Sequence, residues 1–230
     1  MRICGLQKLS MVDYPGLLAA TVFTGGCNLR CPFCHNAPLV TGLADAPTLT
    51  QEEVLDFLST RRRLLDGVVL SGGEPLLHPE APEFLTQVGA LGFSFKVDTN
   101  GCYPEALSHI LETGLADYVA MDLKNSPVRY GETVGVKNFD TAPISESLHL
   151  LKTSGIPYEL RTTVVRELHT PEDIRAMGEW AQGAPVYCLQ RFVDSGSLIS
   201  PGLHAPSEGE IQALAQAARP WFGRVEIRGI

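Results

Sequence analysis

Cys27, Cys31 and Cys34 stand with three and then two residues between them on a single loop, Gly25-Gly26-Cys27-Asn28-Leu29-Arg30-Cys31-Pro32-Phe33-Cys34-His35-Asn36. Thiols so placed can turn toward one object, and thiolates are soft ligands that suit iron-sulfur clusters or zinc. A cubane cluster ordinarily takes four protein ligands, and this loop supplies three. A site one ligand short either recruits a distant Cys or His or leaves one metal open to bind something else, which is a catalyst's arrangement.

Rigid elements have to hold such a loop, and the chain alternates them. Residues 18–23 read as a continuous buried strand that runs straight into the cysteines. Strand-like segments follow at 67–70, 93–97, 117–120, 158–165, 186–192 and 224–227. Helical segments lie between them at 50–65, 79–91, 104–113, 144–154, 170–181 and 206–218. Thr50 with Glu53 forms a capping box, Thr170-Pro171 opens a helix, and Gly114 and Gly155 mark helix stops. This alternation predicts right-handed βαβ units on a parallel sheet, an α/β fold of the partial (β/α)6 TIM-barrel type, since six units are too few for eight-fold closure.

The expected organisation is one domain, with an N-terminal arm over 1–17 that turns at Pro15-Gly16, the partial barrel over 18–193 and a C-terminal loop, helix and strand over 194–230. The loops at 125–139 and 193–206 are long for βα connections and read as lids or partner-binding segments.

Composition narrows the function. With 230 residues, 44% hydrophobic and 19% charged, the chain has the balance of a soluble enzyme. A net charge of -8 argues against sequence-independent binding of nucleic acid. No apolar run approaches the roughly 20 residues that cross a bilayer, and residues 1–10 lack a signal-peptide core, so no membrane role and a cytoplasmic location are expected. In a reducing compartment Cys4, Cys102 and Cys188 read as packed thiols. His78, His109, His149, His169 and His204 show no ligand spacing and read mostly as surface residues.

Functional groups of parallel α/β proteins gather beyond the C-terminal ends of the strands. Gly72-Gly73-Glu74-Pro75, Asp98-Thr99-Asn100-Gly101 and Met121-Asp122-Leu123-Lys124 all fall there, outlining one pocket beside the cysteines.

These residues carry a resemblance. Cys27-x-x-x-Cys31-x-x-Cys34 with Gly72-Gly73-Glu74-Pro75 resembles the radical S-adenosylmethionine (SAM) superfamily. Cys34-His35-Asn36, Asp98-Thr99-Asn100-Gly101 and Asp122-Leu123-Lys124 are similar to its glycyl-radical-enzyme activases. Gly5-Leu6-Gln7-Lys8-Leu9-Ser10 with Asp13-Tyr14-Pro15-Gly16 resembles the longer anaerobic ribonucleoside-triphosphate reductase activases. The resemblance implies a [4Fe-4S] cluster on the three cysteines, whose open iron is chelated by the methionine part of SAM. It further implies reductive cleavage of SAM to a 5'-deoxyadenosyl radical, hydrogen abstraction from a glycine of a glycyl radical enzyme, and a flavodoxin or ferredoxin-type electron donor.

By the same resemblance the cofactor contacts are Phe33 against the adenine, Asn36, the backbone of Gly72 and Gly73, Glu74 toward the ammonium, Asp98, Thr99, and Lys124 with Arg161 toward the carboxylate. A bulky residue at Gly73 is accordingly expected to weaken SAM binding and spare the iron. In pyruvate formate-lyase activase the residues matching Asp98, Thr99 and Asp122 hold a monovalent cation, which makes these three a candidate cation site here. One departure stands out: Gln190-Arg191-Phe192-Val193-Asp194 contains no counterpart of that activase's ribose-contacting His.

Other readings compete. A zinc site would combine the cysteines with His35, although common structural zinc spacings place a second pair far downstream. A 7-carboxy-7-deazaguanine synthase would show Trp-Cys-Asp where this chain has Phe33-Cys34-His35. Arg61-Arg62-Arg63 reads as a solvated face on which an acidic donor can dock. Arg224 to Gly229 resembles a glycyl-radical loop only superficially, in a chain too short to be the radical-carrying enzyme.

Overall fold

Eight strands form one sheet, ordered as in the chain, in the computed structural model, which describes residues 1–230. They are β1 (Ile3–Ser10), β2 (Ala19–Thr24), β3 (Gly67–Gly72), β4 (Ser94–Thr99), β5 (Tyr118–Asp122), β6 (Tyr158–Val164), β7 (Val186–Arg191) and β8 (Arg224–Arg228). β1 runs antiparallel to β2 and every later pairing is parallel. The helices are α1 (Ala37–Thr41), α2 (Gln51–Ser59), α3 (Ala81–Gly89), α4 (Pro104–Glu112), α5 (Tyr130–Val134), α6 (Ala142–Ser154), α7 (Pro171–Ala181) and α8 (Glu208–Ala218). Capping boxes at Thr50 and Glu53 and at Thr170 and Asp173 start α2 and α7, satisfying backbone donors that have no partner in the first turn.

Because side chains alternate along a strand, each face of the sheet takes every second residue. Val97, Val119, Met121, Leu160, Val164, Tyr187 and Leu189 share the face packed against the helices, joining Leu58, Phe84, Leu107, Ile174 and Ile211 in one apolar core. The other face carries Lys96, Asp98, Asp122, Glu159, Arg161, Cys188, Glu226 and Arg228. Pairing places Asp98 opposite Ala120, and Asp122, Arg161, Cys188 and Glu226 in one row. Arg161 on β6 reaches Asp98 on β4 past Ala120 of the intervening strand, so this polar face is the concave one. The result is an open barrel with its hydrophobic core outside the sheet and ionisable groups lining the lumen.

The β1–β2 turn plugs the lower end of that lumen. Tyr14 packs with Ala19 and Val69, its hydroxyl donates to the Phe95 carbonyl at 3.3 Å, and its ring meets Tyr118 at 6.1 Å. At the far edge β8 is fastened by Arg228, which donates twice to Glu159, at 3.1 and 2.7 Å. Cys4, Cys102 and Cys188 are free thiols, the first and last buried.

Two expectations need correction. The segment 125–139 is not a lid: Tyr130 is fully buried against Phe139 and Trp180, and the Arg30 N–H donates to the Val134 carbonyl at 2.9 Å. An aromatic at the start of α5 and close approach of Gly135 to the Arg30 carbonyl turn this stretch into a buttress under the cysteine loop. Most of the histidines lie at the surface, and His169 is the buried exception: its Nδ1 accepts from Val165 N–H at 3.1 Å, leaving Nε2–H to donate to the Lys124 carbonyl at 2.8 Å. Arg61, Arg62 and Arg63 precede Gly67, the first residue of β3, at the end of the sheet opposite the cysteines, so a donor docked there would be remote from them.

Candidate active site

The cysteine loop leaves β2 at Thr24 and is tied down on several sides. Glu74 N–H donates to the Gly26 carbonyl at 2.8 Å, Asn36 Nδ2 donates to the Gly72 carbonyl at 2.8 Å, and His78 Nε2 lies 2.9 Å from the Gly25 carbonyl. The Ser200 N–H donates to the Pro32 carbonyl at 3.0 Å, bringing the 193–206 loop against the same segment. Cys27, Cys31, Phe33, Cys34 and Asn36 then line one cavity of about 270 Å³ with Gly72, Gly73, Asp98, Thr99, Asp122, Lys124 and Arg161. The residues singled out in the sequence thus share one cavity, and the structure shows which protein groups each touches.

The cysteines fit an iron-sulfur cluster. They line one cavity, yet no three metal-binding side chains converge on a point that a single ion could occupy. Three thiols on one loop suit a cluster whose separate corners each take one thiolate. His35 packs its ring 5.8 Å from Phe192. Burial pushes the Cys31 thiol up to about 12 and raises Cys27 and Cys34, so uptake of a metal group releases protons.

Glu74 also lines the cavity, with its carboxylate already engaged by protein donors. Its carboxylate is fully buried and accepts from Leu76 N at 3.0 Å, Thr99 Oγ1 at 2.8 Å and Asn100 N at 2.6 Å. Burial pushes it up to about 7 against the pull of these three donors. Asn100 continues the chain: its Nδ2 donates to Asn28 Oδ1 at 2.9 Å and lies 3.7 Å from Cys27 Sγ, while Leu29 N–H lies 3.4 Å from the same sulfur. The Asn100 contact had no signal in the sequence beyond its place in a motif.

Gly73 lines the cavity and also has a packing role. A Cβ there would overlap the backbone carbonyl of Gly26, one residue before Cys27. Its small size is needed for the cysteine loop itself, so a bulky substitution is expected to displace that loop and with it the bound iron. Gly72, at φ 127°, packs equally close on the backbone of Thr24.

The candidate cation ligands are already engaged. Asp98 pairs with Lys96 through one oxygen, and through the other accepts from Ser71 Oγ at 3.0 Å and Arg161 at 3.4 Å. Asp122 pairs with Arg161 Nε at 3.0 Å and Lys124 Nζ at 2.9 Å. Thr99 follows Asp98 on the strand and turns its hydroxyl to Glu74. Burial works to raise both aspartates, but Arg161 and Lys96 outweigh it at Asp98, and Lys124 and Arg161 at Asp122, so both lie below the ordinary carboxylate range. Lys96 went unnoticed in the sequence, because one Lys in an apolar strand resembles an edge residue until the fold shows it 1% exposed. Asp13, Ser71, Thr163 and Gln190 also line the cavity, Gln190 being part of the segment that lacks a counterpart of the ribose-contacting His.

A curved parallel sheet holding a three-cysteine loop beyond its first parallel strand defines the architecture of a radical SAM enzyme. The chain matches the radical SAM superfamily over residues 21–181 and belongs to it. It is 33% identical to a protein of Methanocaldococcus jannaschii carried under the provisional name glycyl-radical enzyme activating enzyme, over 99% of this chain and 96% of that one. It is 29% identical to a pyruvate formate-lyase-activating enzyme of Listeria monocytogenes, over 80% of this chain and 77% of the relative. In fold it resembles a domain of a pyruvate-formate lyase-activating enzyme from Bacteroides vulgatus, with a TM-score of 0.58 at 22% identity, covering 71% of this chain and 99% of that one. The family implies a [4Fe-4S] cluster and SAM as cofactors, with Cys27, Cys31 and Cys34 as the residues that would hold the cluster. No helix is long and apolar enough to cross a membrane.

Proposed function

We propose that this chain is a glycyl-radical-enzyme activase whose target is an anaerobic ribonucleoside-triphosphate reductase. The observation that carries the activase reading is the end-to-end match to a relative bearing that name, on a chain whose cysteine loop and cation-rich lumen share one cavity. When bound, the cluster supplies the electron that cleaves SAM into methionine and the radical that takes hydrogen from a glycine. The chain's own residues do the rest. Lys124 and Arg161 attract the carboxylate of SAM, Phe33 offers an aromatic face to the adenine, and the backbone of Gly72 and Gly73 allows close approach. Asn36 acts indirectly, by tying the end of the cysteine loop to β3.

The particular target rests on Gly5 to Ser10 with Asp13-Tyr14-Pro15-Gly16, which resembles the longer reductase activases. A pyruvate formate-lyase-type target is the second reading, favoured by the name of the Listeria relative. We further propose a flavodoxin or ferredoxin-type electron donor and a cytoplasmic location. The experiment that decides the target mixes the reduced, reconstituted protein and SAM anaerobically with each candidate enzyme. A glycine-centred doublet by electron paramagnetic resonance in the reductase is the expected result. A doublet only in the formate-lyase moves the assignment to the second reading, and no doublet with any glycyl radical enzyme overturns the activase reading.

A further inference from the structure

Two aspartates at neighbouring strand ends, such as Asp98 and Asp122, offer hard oxygens of the kind that bind metal cations. In this chain all four of their oxygens already face protein cations or donors. Lys96 takes one Asp98 oxygen, Ser71 and Arg161 the other; Arg161 and Lys124 take the two oxygens of Asp122. We propose that Lys96 is a tethered ammonium that stands in place of a metal cation beside Asp98, so that this enzyme binds SAM without potassium or sodium.

Three features of the fold carry the inference. Lys96 lies two residues before Asp98 on β4, so the strand's period puts both side chains on the concave face. It is almost fully buried and its one ion pair is with Asp98, which makes it a fixed internal charge and not a solvated one reaching inward. Within the ion-paired group, two carboxylates face Lys96, Arg161 and Lys124, which leaves one positive charge, since Glu159 beside them is matched by Arg228. That balance suits the single carboxylate of a methionine moiety, whereas a metal ion added to the same ladder meets net repulsion. With Lys96 removed, the ladder is neutral and an Asp98 oxygen is freed, which recreates the conditions for a bound cation. The inference is independent of which enzyme receives the radical.

The test measures SAM affinity of the cluster-loaded protein by equilibrium dialysis in potassium, sodium and tetramethylammonium chloride at equal ionic strength. The wild-type affinity is expected to agree within about threefold across the three salts. Lys96→Met is expected to bind SAM about tenfold more weakly in tetramethylammonium, a difference of about 1.4 kcal/mol, and to recover in potassium or sodium. A wild-type affinity that rises more than about threefold in potassium or sodium overturns the proposal, as does saturable binding of thallium(I) to the wild-type protein in the absence of SAM. A Lys96→Met protein indifferent to the cation, whether weakened or not, overturns it too. The wild-type comparisons stand without the variant if Lys96→Met loses its iron.

Discussion

At Gly73 the absence of a side chain is a packing requirement of the cluster loop. Its backbone lies against Gly26, so Gly73→Ala pushes the start of the loop outward. The expected outcome is joint loss of bound iron and SAM affinity, read by iron content per chain and equilibrium dialysis; iron content equal to wild type would show that the loop tolerates the displacement. Asn100 acts on the site through Cys27. An amide N–H aimed at a cluster thiolate stabilises the reduced, more negative state, and such hydrogen bonds help to set cluster potentials. Asn100→Leu should therefore shift the cluster's midpoint potential to more negative values in a titration followed by electron paramagnetic resonance. An unchanged potential would restrict Asn100 to holding Asn28. Cys31→Ala, which removes the most buried of the three thiols, should abolish cluster assembly and SAM cleavage together. The cysteines were legible from spacing alone because ligand spacing is a property of the chain. The targets of Glu74 and Asn100 were not, because both reach partners more than two dozen residues away, across loops from different strands.

Among the elements, α5 is the one whose role differs most from expectation. A long βα connection between two strand ends suggests a movable segment, yet Tyr130 fixes it by stacking on Phe139 at 5.1 Å and meeting Trp180 edge-on at 5.9 Å. Tyr130→Ala is expected to cost about 3–5 kcal/mol, the usual range for emptying a buried aromatic site, and to loosen the cysteine loop that rests on α5. Chemical denaturation of the apo-protein checks the first part, and faster loss of iron on storage checks the second. β8 is held by a different device. Glu159 is almost fully buried, so Arg228→Met strands its charge and should destabilise the fold by about 3–5 kcal/mol, with Glu159→Gln in the same chain recovering part of the loss. Measured stability within error of wild type in Arg228→Met would remove this pair from the account of how the open edge is secured.

Over the whole molecule, an acidic chain keeps its internal cations where the chemistry needs them. The net charge of -8 is spread largely over the surface, while Lys96, Lys124, Arg161 and Arg228 face the lumen beside Asp98, Asp122 and Glu159. Asp98 and Asp122 are held below their ordinary range, so their contribution to stability is complete above the unfolded value of about 3.9 and is lost as pH falls through the depressed values. Thermal unfolding of the wild type should therefore weaken steeply below about pH 4, and Asp122→Asn should show a shallower decline from a lower starting point. Parallel curves for the two proteins would place the acid sensitivity elsewhere.

The sequence by itself determined the alternation of strands and helices, the three-thiol loop, and the strand ends at which functional residues collect. Those are local properties, carried by periodicity, caps and ligand spacing. Only the tertiary structure decided which face of the sheet is concave, that Lys96 and Arg161 meet Asp98 there, and that the Glu74 carboxylate is held by Leu76, Thr99 and Asn100. Such pairings depend on the curvature and register of strands that lie far apart in the chain, and no local pattern encodes that distance.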